Sequence, residues 1–237
     1  SELLKRIQAE KAKLIAEGKI KKEKPLPPIA EDEKPFELPV GWAYQRLNDF
    51  CTGITSGSTP PQSEFITANG IPYLKVYNIR DQRIDFDYKP QFVSKQYSDE
   101  KLKRSVLYPG DVIMNIVGPP LGKIAIIPST YPEWNCNQAI VFFRPLDKRF
   151  SKYIYTYLCA GLFLKDIELV GTAGQDNISV TKSQSIIFPL PPLDEQSRIV
   201  AKIEELLALC DQLKSRIGDA TQLKQKVADT LVEQALH

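Results

Sequence analysis

The sequence predicts an α/β (α+β) protein: a globular domain of short, largely antiparallel strands, a short N-terminal helix and a long C-terminal helix. Two patterns predict this architecture. Between residues 41 and 192, short apolar runs alternate with turn sequences rich in Gly, Pro, Ser and Thr, which is typical of short strands. After residue 192, apolar residues recur every three or four positions for about forty residues, which indicates one long helix.

The first forty residues predict a helix followed by a linker. Residues 1–24 form the predicted basic helix, because Leu4, Ile7 and Leu14 fall near one face and Gly18 is suited to end it. Residues 25–40 hold five prolines and an acidic cluster. Since proline fixes φ and disfavours helix before it, we expect a semi-rigid extended linker there.

The middle of the chain predicts a sheet-rich domain with one helical segment. The connections between strands are short, which favours antiparallel pairing, and the strand at 123–128 is expected to pair with the one before it. The predicted strands are 42–48, 71–79, two within 105–118 around a Pro-Gly turn, 123–128, 137–145 and one at the end of 180–192. The helix or helix pair is expected at 148–169, and the loops are expected at 51–62, 80–98 (with short strands) and 171–179.

The long helix predicts a coiled coil rather than an ordinary surface helix, because its apolar spacing is a 3.5-residue repeat. About forty residues at ~1.5 Å each give a rod of roughly 60 Å, which needs a partner helix to bury its stripe. Lys224 and Gly218 interrupt the pattern. The predicted stripe is Ile199, Ile203, Leu206, Cys210, Leu213, Ile217, Val227 and Leu231, with Ala220 between.

Composition argues against a membrane protein, a disulfide framework and a metal site. Hydrophobic residues make up 43% and charged residues 25%, and no apolar run approaches the ~20 residues of a membrane span. The charged N-terminal stretch does not resemble a secretory signal. Four scattered cysteines without a CxxC favour a reduced, cytoplasmic setting. We therefore expect a cytoplasmic chain with no membrane partner and no bound metal.

No pattern of catalytic residues stands out. The single histidine is His237, and the sequence contains no GxGxxG, GxxxxGK[ST] or GxSxG motif. The Pro-Pro-aromatic motif of adenine methyl transfer is absent as well. Asp85 and Asp87 superficially resemble a nuclease metal pair, but a solvated edge strand explains them better. We expect a chain that is not an enzyme by itself and has no cofactor of its own.

Polar side chains cluster in three predicted loops, around residues 75–83, 101–104 and 175–177. Asn, Gln, Arg and Lys are the side chains that read base edges and hold phosphates. Each cluster is weak evidence alone because loops are polar anyway, and the net charge of +2 is too mild to indicate nucleic acid.

Seven ordered segments resemble the specificity subunits of Type I restriction–modification systems. ELPVGWAYQRLND resembles the start of a target recognition domain, and ITSGSTP, IPYLKVYNI, YPGDVIMNIVGPPLGKIAII and NCNQAIVFFRP are similar to its later motifs. GTAGQDNIS and PLPPLDEQSRIVAKIEELLALCDQL resemble its end and the start of the conserved helix. LLKRIQAEKAKLIAEGKIKK also resembles the stretch that precedes such a domain. The similarity covers nearly the whole chain in the right order.

The resemblance implies a DNA sequence-recognition subunit. Family members carry two recognition domains, each followed by a long helix, and the two helices form an antiparallel coiled coil between two DNA half-sites. The implied partners are double-stranded DNA, modification (methyltransferase) subunits and a restriction (motor–nuclease) subunit. S-adenosylmethionine and ATP/Mg would belong to those partner subunits.

This sequence departs from the family in carrying one domain and one long helix. We therefore expect a half-specificity subunit that forms a homodimer through its long helix. The expected division is 1–24 basic helix, 25–40 linker, 41–192 target recognition domain and 193–236 coiled-coil spacer.

The expected DNA contacts come from the polar loop clusters. Asn78 also has a plainer role open to it, as the cap of a turn. A coiled-coil adaptor that binds protein rather than DNA remains an alternative, as does a self-contained methyltransferase, which the missing motifs oppose. The candidate DNA-binding residues are Lys75, Asn78, Arg80, Arg83, Lys103, Arg104, Gln175 and Asn177.

Overall fold

A computed structural model describes residues 2–22, 25–166 and 176–235 of the chain. The helices in this part are α1 Glu2–Ala16, α2 Leu47–Phe50, α3 Lys95–Lys101, α4 Ser151–Cys159, α5 Phe163–Asp166, α6 Val180–Ser185 and α7 Leu193–Ala235. The strands are β1 Ala43–Arg46, β2 Cys51–Ser56, β3 Phe65–Ile66, β4 Ile71–Leu74, β5 Ile79–Arg80, β6 Arg83–Ile84, β7 Phe92–Val93, β8 Val112–Asn115, β9 Ile124–Ile126, β10 Asn135–Cys136, β11 Ile140–Pro145 and β12 Ile187–Leu190.

Two four-stranded sheets form the centre of the domain, in the orders β10-β4-β7-β3 and β2-β11-β8-β9. The remaining pairs are β1 with β12 and the hairpin β5-β6. Among these pairs β4 and β10 run parallel and the others antiparallel. The expected α/β (α+β) class with largely antiparallel strands is confirmed, as is the pairing of β9 with β8.

Side chains from both four-stranded sheets share one core. Leu74 of β4, Ile113 of β8 and Ile140 of β11 are fully buried in the same cluster. Trp134 closes this cluster, its ring edge-to-face with Phe86 at 5.1 Å between centroids. Such aromatic pairs add about 0.5–1.5 kcal/mol beyond the area that they bury.

A charged pair fixes the turn before β8. The Asp111 carboxylate accepts a hydrogen bond from Tyr108 N at 2.9 Å and a two-pronged contact from the Arg144 guanidinium, with Nη2 at 2.7 Å. Arg144 also donates to Val106 O. Asp111 of the Gly-Asp motif and Arg144 of the Arg-Pro motif therefore form one structural contact.

The predicted loop at 51–62 is partly wrong, because residues 51–56 form β2 and pair along β11. Gly is depleted in strands, but Thr and Ile favour them, and the buried Cys51 and Ile54 anchor the segment to its neighbour. The loop begins at Gly57, where a Cβ would lie 2.2 Å from Cys136 O, so only glycine fits.

One longer prediction is also corrected, and one alternative that the sequence left open is decided. The strand expected over 71–79 ends at Leu74, and a 3₁₀ turn over Val76–Asn78 separates it from β5. The helical segment at 148–169 divides into α4 and α5 at Gly161, whose φ of 68° ends the first helix.

The proline-rich segment lies against the domain instead of standing free. The Arg46 side chain donates to Pro27 O at 3.1 Å, to Ser185 O at 2.9 Å and to both carboxylate oxygens of Glu33 at 3.1 Å. The Tyr44 hydroxyl donates to Phe36 O, and the two rings pack edge-to-face. The buried Arg46 side chain thus fixes the proline-rich segment against β1. We call this segment, residues 25–40, the strap.

The chain separates into two compact units, Ser1–Leu193 and Asp194–His237. The second unit consists of α7, which confirms the long C-terminal helix of the sequence prediction. The helix continues through Gly218 and Lys224 without a break. Its predicted stripe is exposed from Leu206 to Leu231, while Ile199 and Ile203 are half-buried.

Candidate nucleic-acid interface

The hairpin β5-β6 presents two arginines at the end of a tight turn. Arg80 and Arg83 are direct cross-strand partners, and the turn between them has φ of 48° at Asp81 and 57° at Gln82. Positive φ at both positions defines a type I′ turn, whose twist matches an antiparallel hairpin. The two exposed guanidinium groups therefore leave the sheet on the same face.

Two hydrogen bonds brace the tip of this hairpin. Gln82 accepts a hydrogen bond at its side-chain oxygen from Ile124 N and another at its carbonyl from the Tyr155 hydroxyl, the latter at 3.0 Å. Burial raises the pKa of Tyr155 to about 12, and the neighbouring Arg83 charge only partly opposes this. The phenol thus stays protonated and able to donate at any physiological pH.

The arginine pair is incompletely neutralised. Arg80 Nε lies 3.5 Å from an Asp85 oxygen, in a pair with both partners largely exposed, and its guanidinium carbon lies 4.5 Å from the Tyr88 ring centroid. Exposed pairs of this kind contribute little. Like charges directly opposite each other destabilise a sheet, so an anion bound between Arg80 and Arg83 would relieve their repulsion.

Aromatic rings and lysines surround the hairpin. Lys89 Nζ lies 5.2 Å from the Tyr88 ring and 5.9 Å from that of Tyr77, and Lys75 Nζ lies 4.9 Å from the Phe65 ring. Tyr88 is exposed, and burial raises the pKa of Tyr77 against the opposing charge of Lys89. We call this region the cationic–aromatic surface; its residues are Lys75, Tyr77, Arg80, Arg83, Tyr88 and Lys89.

Asn78 does not belong to this surface, and its assignment as a DNA contact is corrected. The side chain is fully buried. Its oxygen accepts from Lys75 N at 2.9 Å, and its amide donates to Asp85 O at 3.3 Å and Tyr88 O at 2.8 Å. All three bonds go to backbone, so the turn-cap alternative describes Asn78.

The second basic cluster lies on a 3₁₀ turn over Lys103–Ser105, and both of its cations are exposed. Arg104 donates to the Ser58 hydroxyl at 3.4 Å. The Tyr73 hydroxyl donates to Ser58 O at 2.7 Å, and the Tyr73 ring packs on Phe65 beneath Lys75. This chain of contacts connects the second cluster to the cationic–aromatic surface.

The third cluster is only partly described. Gln175 lies outside the described residues. Asn177 forms a bridge with Val117, and its side-chain oxygen is enclosed without a hydrogen-bond partner among the described residues. The structure therefore does not bring Asn177 to the cationic–aromatic surface through any described contact.

Sequence reasoning overlooked Tyr88 and Lys89 as candidate contacts. The available signal was an aromatic residue next to a lysine, close to a cluster of other basic residues, a combination typical of single-stranded and backbone binding. The nearby Asp85 drew attention only as half of a superficial metal pair with Asp87. That carboxylate is occupied by Arg80 and by Tyr88 N at 3.2 Å, which agrees with its structural interpretation.

The family model for the Type I restriction modification DNA specificity domain matches residues 39–222. This chain belongs to that family. The specificity-domain match spans most of the chain and confirms the resemblance found in the sequence motifs. In the described ranges no helix is long and apolar enough to cross a membrane, and no three His, Cys, Asp or Glu residues are grouped as metal ligands.

Curated relatives of this specificity domain are similar along its whole length. The chain is 34% identical over 245 residues to the Type I restriction enzyme EcoEI specificity subunit of Escherichia coli, covering 100% of this chain and 41% of that protein. It is likewise 34% identical to the EcoAI specificity subunit of the same organism, covering 40% of it. The chain thus spans about two fifths of the length of these relatives.

Solved structures show the same fold. A chain from a study of assembly and conformational transition of the type I R-M system matches with a TM-score of 0.60 at 24% identity, covering 90% of this chain and 47% of that one. The HsdS subunit from Thermoanaerobacter tengcongensis matches with a TM-score of 0.56 at 24% identity, covering the same shares.

Proposed function

We propose that this chain is the sequence-reading part of a Type I restriction–modification enzyme, recognising one DNA half-site and scaffolding modification subunits. The cationic–aromatic surface carries the proposal, because it sets two braced, exposed arginines beside an exposed ring on a specificity-domain fold. We assign the reading role to residues 41–192 and the spacer role to 193–236. Four free cysteines fit a cytoplasmic setting.

The surface has the chemistry to bind a DNA duplex. A guanidinium presents a planar fork of donors that fits either a phosphate or the O6 and N7 acceptors of guanine in the major groove. Arg80 and Arg83 would take these contacts first, since an anionic partner relieves their mutual repulsion. Lys75, Lys103 and Arg104 would fix register on the phosphate backbone.

The proposed partners follow from family membership and from the names of the relatives. Modification subunits would supply S-adenosylmethionine and the methyl-transfer centre, and a motor–nuclease subunit would supply ATP/Mg chemistry. This chain would bind and orient DNA for them without catalysing a step itself. The exposed stripe of α7 supports a further partner, a second copy of the chain paired helix to helix.

The DNA proposal is tested with Arg80→Ala/Arg83→Ala in the enzyme assembled with its modification subunit. Each lost phosphate contact lowers the slope of log affinity against log salt by about 0.9, so the double variant should lose up to about 2 in slope. We expect at least a tenfold loss of affinity for the site at moderate salt. Fluorescence anisotropy over a salt series measures both quantities.

Arg149→Ala is the matched control, since it removes an exposed arginine paired with Asp147 outside the surface. It should leave affinity and slope close to those of the unmodified chain. If the double variant behaves like this control, the DNA face is misplaced. If the assembled enzyme shows no salt-dependent retention on DNA at all, the protein-binding adaptor is the better description.

A further inference from the structure

The turn of the β5-β6 hairpin carries a glutamine at a position that usually holds glycine. Asp81 and Gln82 have φ of 48° and 57°. Type I′ turns favour Asn or Asp at the first of these positions and Gly at the second. Asp81 fits this preference and Gln82 does not, because left-handed backbone is unfavourable for a residue with a Cβ atom. Such backbone persists only where surrounding contacts hold it in place, so the contacts of Gln82 must offset this cost.

The Gln82 side chain pairs with the free edge of the second sheet. β9 is the outermost strand in the order β2-β11-β8-β9. Asn115 N, at the end of β8, donates to Lys123 O, so the next residue, Ile124, directs its amide away from β8. Ile124 is fully buried, and its N–H donates to the Gln82 side-chain oxygen. Gln82 thus satisfies a buried edge donor to which the sheet itself offers no acceptor.

A second bond holds the backbone of the same residue. The Tyr155 hydroxyl, on α4, donates to Gln82 O at 3.0 Å. Gln82 is therefore held at its side chain by β9 and at its main chain by α4, through residues 42 and 73 positions further along the chain. Since Arg80 and Arg83 flank the turn, these two bonds fix the backbone of both arginines relative to the body of the domain.

We propose that Gln82 is a positioning residue that lets the two arginines read bases instead of only binding phosphates. The inference rests on the proposed DNA function and adds how the hairpin discriminates between sequences. A phosphate can be held by a cation that moves with a loose loop, because the contact is largely electrostatic. A bidentate contact to guanine O6 and N7 needs the guanidinium fork held at one angle in the groove. Anchoring the turn to β9 and α4 supplies that fixed geometry.

The experiment uses the full chain assembled with its modification subunit and carrying Gln82→Gly or Tyr155→Phe. Gly suits the second turn position, so the first variant keeps the hairpin and loses the bond to β9. Phe keeps the ring of Tyr155 and loses the bond from α4. Fluorescence anisotropy over a salt series gives two affinities for each variant. One is for the site that methylation mapping identifies, and the other is for a duplex of the same composition in scrambled order.

Both variants should lose discrimination and keep general DNA affinity. For Gln82→Gly, the ratio of the two affinities should fall about tenfold, the order of discrimination that one bidentate base contact provides. Tyr155→Phe should lower the ratio in the same direction. The affinity for the scrambled duplex and its salt slope should match those of the unmodified chain, because every charge remains. Equal losses on both duplexes, with the ratio unchanged, would indicate a merely structural role and overturn the inference.

Asp81→Gly is the matched control, since it makes the same change at the neighbouring left-handed position. Asp81 is exposed, and its side chain forms no hydrogen bond or ion pair within the described part of the chain. The lost negative charge should raise both affinities and leave their ratio unchanged. If Gln82→Gly alters the ratio no more than Asp81→Gly does, Gln82 is not a positioning residue.

Arg80→Ala/Arg83→Ala, titrated alongside, separates this inference from the proposed function. If the double variant binds the site as the unmodified chain does, the DNA face itself is misplaced and the inference falls with it. If the double variant loses affinity while Gln82→Gly and Tyr155→Phe keep the full ratio, the DNA face is correct and only the positioning role is overturned.

Discussion

At the scale of single residues, the chemical type of a side chain does not show whether it contacts DNA or supports the fold. Asn78 and Lys103 both have side chains suited to DNA, but Asn78 is fully buried and Lys103 is exposed. The Asn78 carboxamide satisfies three backbone groups through bonds that are partly buried. Each such group costs about 1–3 kcal/mol when left unpaired. Asn78 therefore supports the backbone of the cationic–aromatic surface and does not itself contact a ligand there.

Asn78→Ala should lower the free energy of unfolding by about 2–4 kcal/mol, because its three backbone partners lose their bonds and the site cannot admit enough water to replace them. Urea denaturation followed by circular dichroism measures the change. Lys103→Ala, a change at an exposed cation of the second basic cluster, should stay within about 0.5 kcal/mol. Equal effects of the two substitutions would contradict the structural role of Asn78.

At the scale of elements, an ion pair that we call the clasp joins the acidic part of the proline-rich strap to the domain. Glu33 and Arg46 join it to β1, with Arg46 buried and Glu33 more exposed. The hydrogen bond from Ala30 N holds the pKa of Glu33 below its usual 4.5; burial opposes this shift, and the Arg46 guanidinium adds to it. An open groove of about 1040 Å³ lies between the strap and β1.

Glu33→Gln should increase amide exchange over residues 30–34 several-fold at pH 7, because Arg46 loses its carboxylate while its other bonds remain. Hydrogen exchange read by mass spectrometry measures this. Glu31→Gln is the matched control, as Glu31 pairs with the neighbouring Lys34 on the surface. If both variants exchange alike, the clasp does not hold the strap.

Lowering the pH should break the same Glu33–Arg46 contact, because the Glu33 carboxylate becomes protonated. Since the folded pKa of Glu33 is depressed, its contribution is present above the ordinary value and is lost as pH falls through the folded one. Protection of residues 30–34, corrected for the intrinsic rate, should hold from pH 7 to about 5 and fall below about pH 4. In Glu33→Gln this pH dependence should disappear.

At the scale of the whole molecule, the proposed pairing of two copies has a consequence for the symmetry of the target. A two-fold pair of identical chains presents two identical reading surfaces in opposite orientations. Because each surface would read its own half-site, the proposed dimer requires two half-sites that are inverted repeats. A second, different recognition domain would instead require two unrelated half-sites.

Co-expression with the modification subunit, followed by sequencing of the methylated sites, should therefore return an inverted repeat with a central spacer. The expectation follows from the two-fold axis and needs no knowledge of which bases are read. An asymmetric bipartite site would refute the homodimer as the functional unit. Arg80→Ala/Arg83→Ala should reduce methylation at both half-sites equally.

Some elements were predictable because their signals are local. The apolar repeat after residue 192 predicts α7 whatever surrounds it, and Val112–Asn115 and Ile124–Ile126 follow from short apolar runs around turn residues. Residues 51–56 were not predictable from their composition, because their strand exists only through pairing with β11. The split of the segment 71–79 likewise depends on the buried Asn78 side chain.

The candidate site was predictable as a list of residues but not as a surface. Local sequence placed Arg80 and Arg83 in one loop, and the type I′ turn makes them cross-strand neighbours. Nothing local indicated that Tyr88 and Lys89 return to the same place, or that Tyr73 and Ser58 connect Lys75 to Arg104. Arg80 and Tyr88 lie 8 residues apart, whereas Ser58 and Arg104 lie 46 residues apart.

By itself the sequence determined the family, the fold class and the long helix, because ordered motifs and a helical repeat are carried by neighbours in the chain. The tertiary structure alone decided which polar side chains face solvent and which of them support the backbone. The physical reason is burial: whether Asn78 is covered depends on segments that fold back over it. The periodicity of the sequence does not show which side chains distant segments will bury.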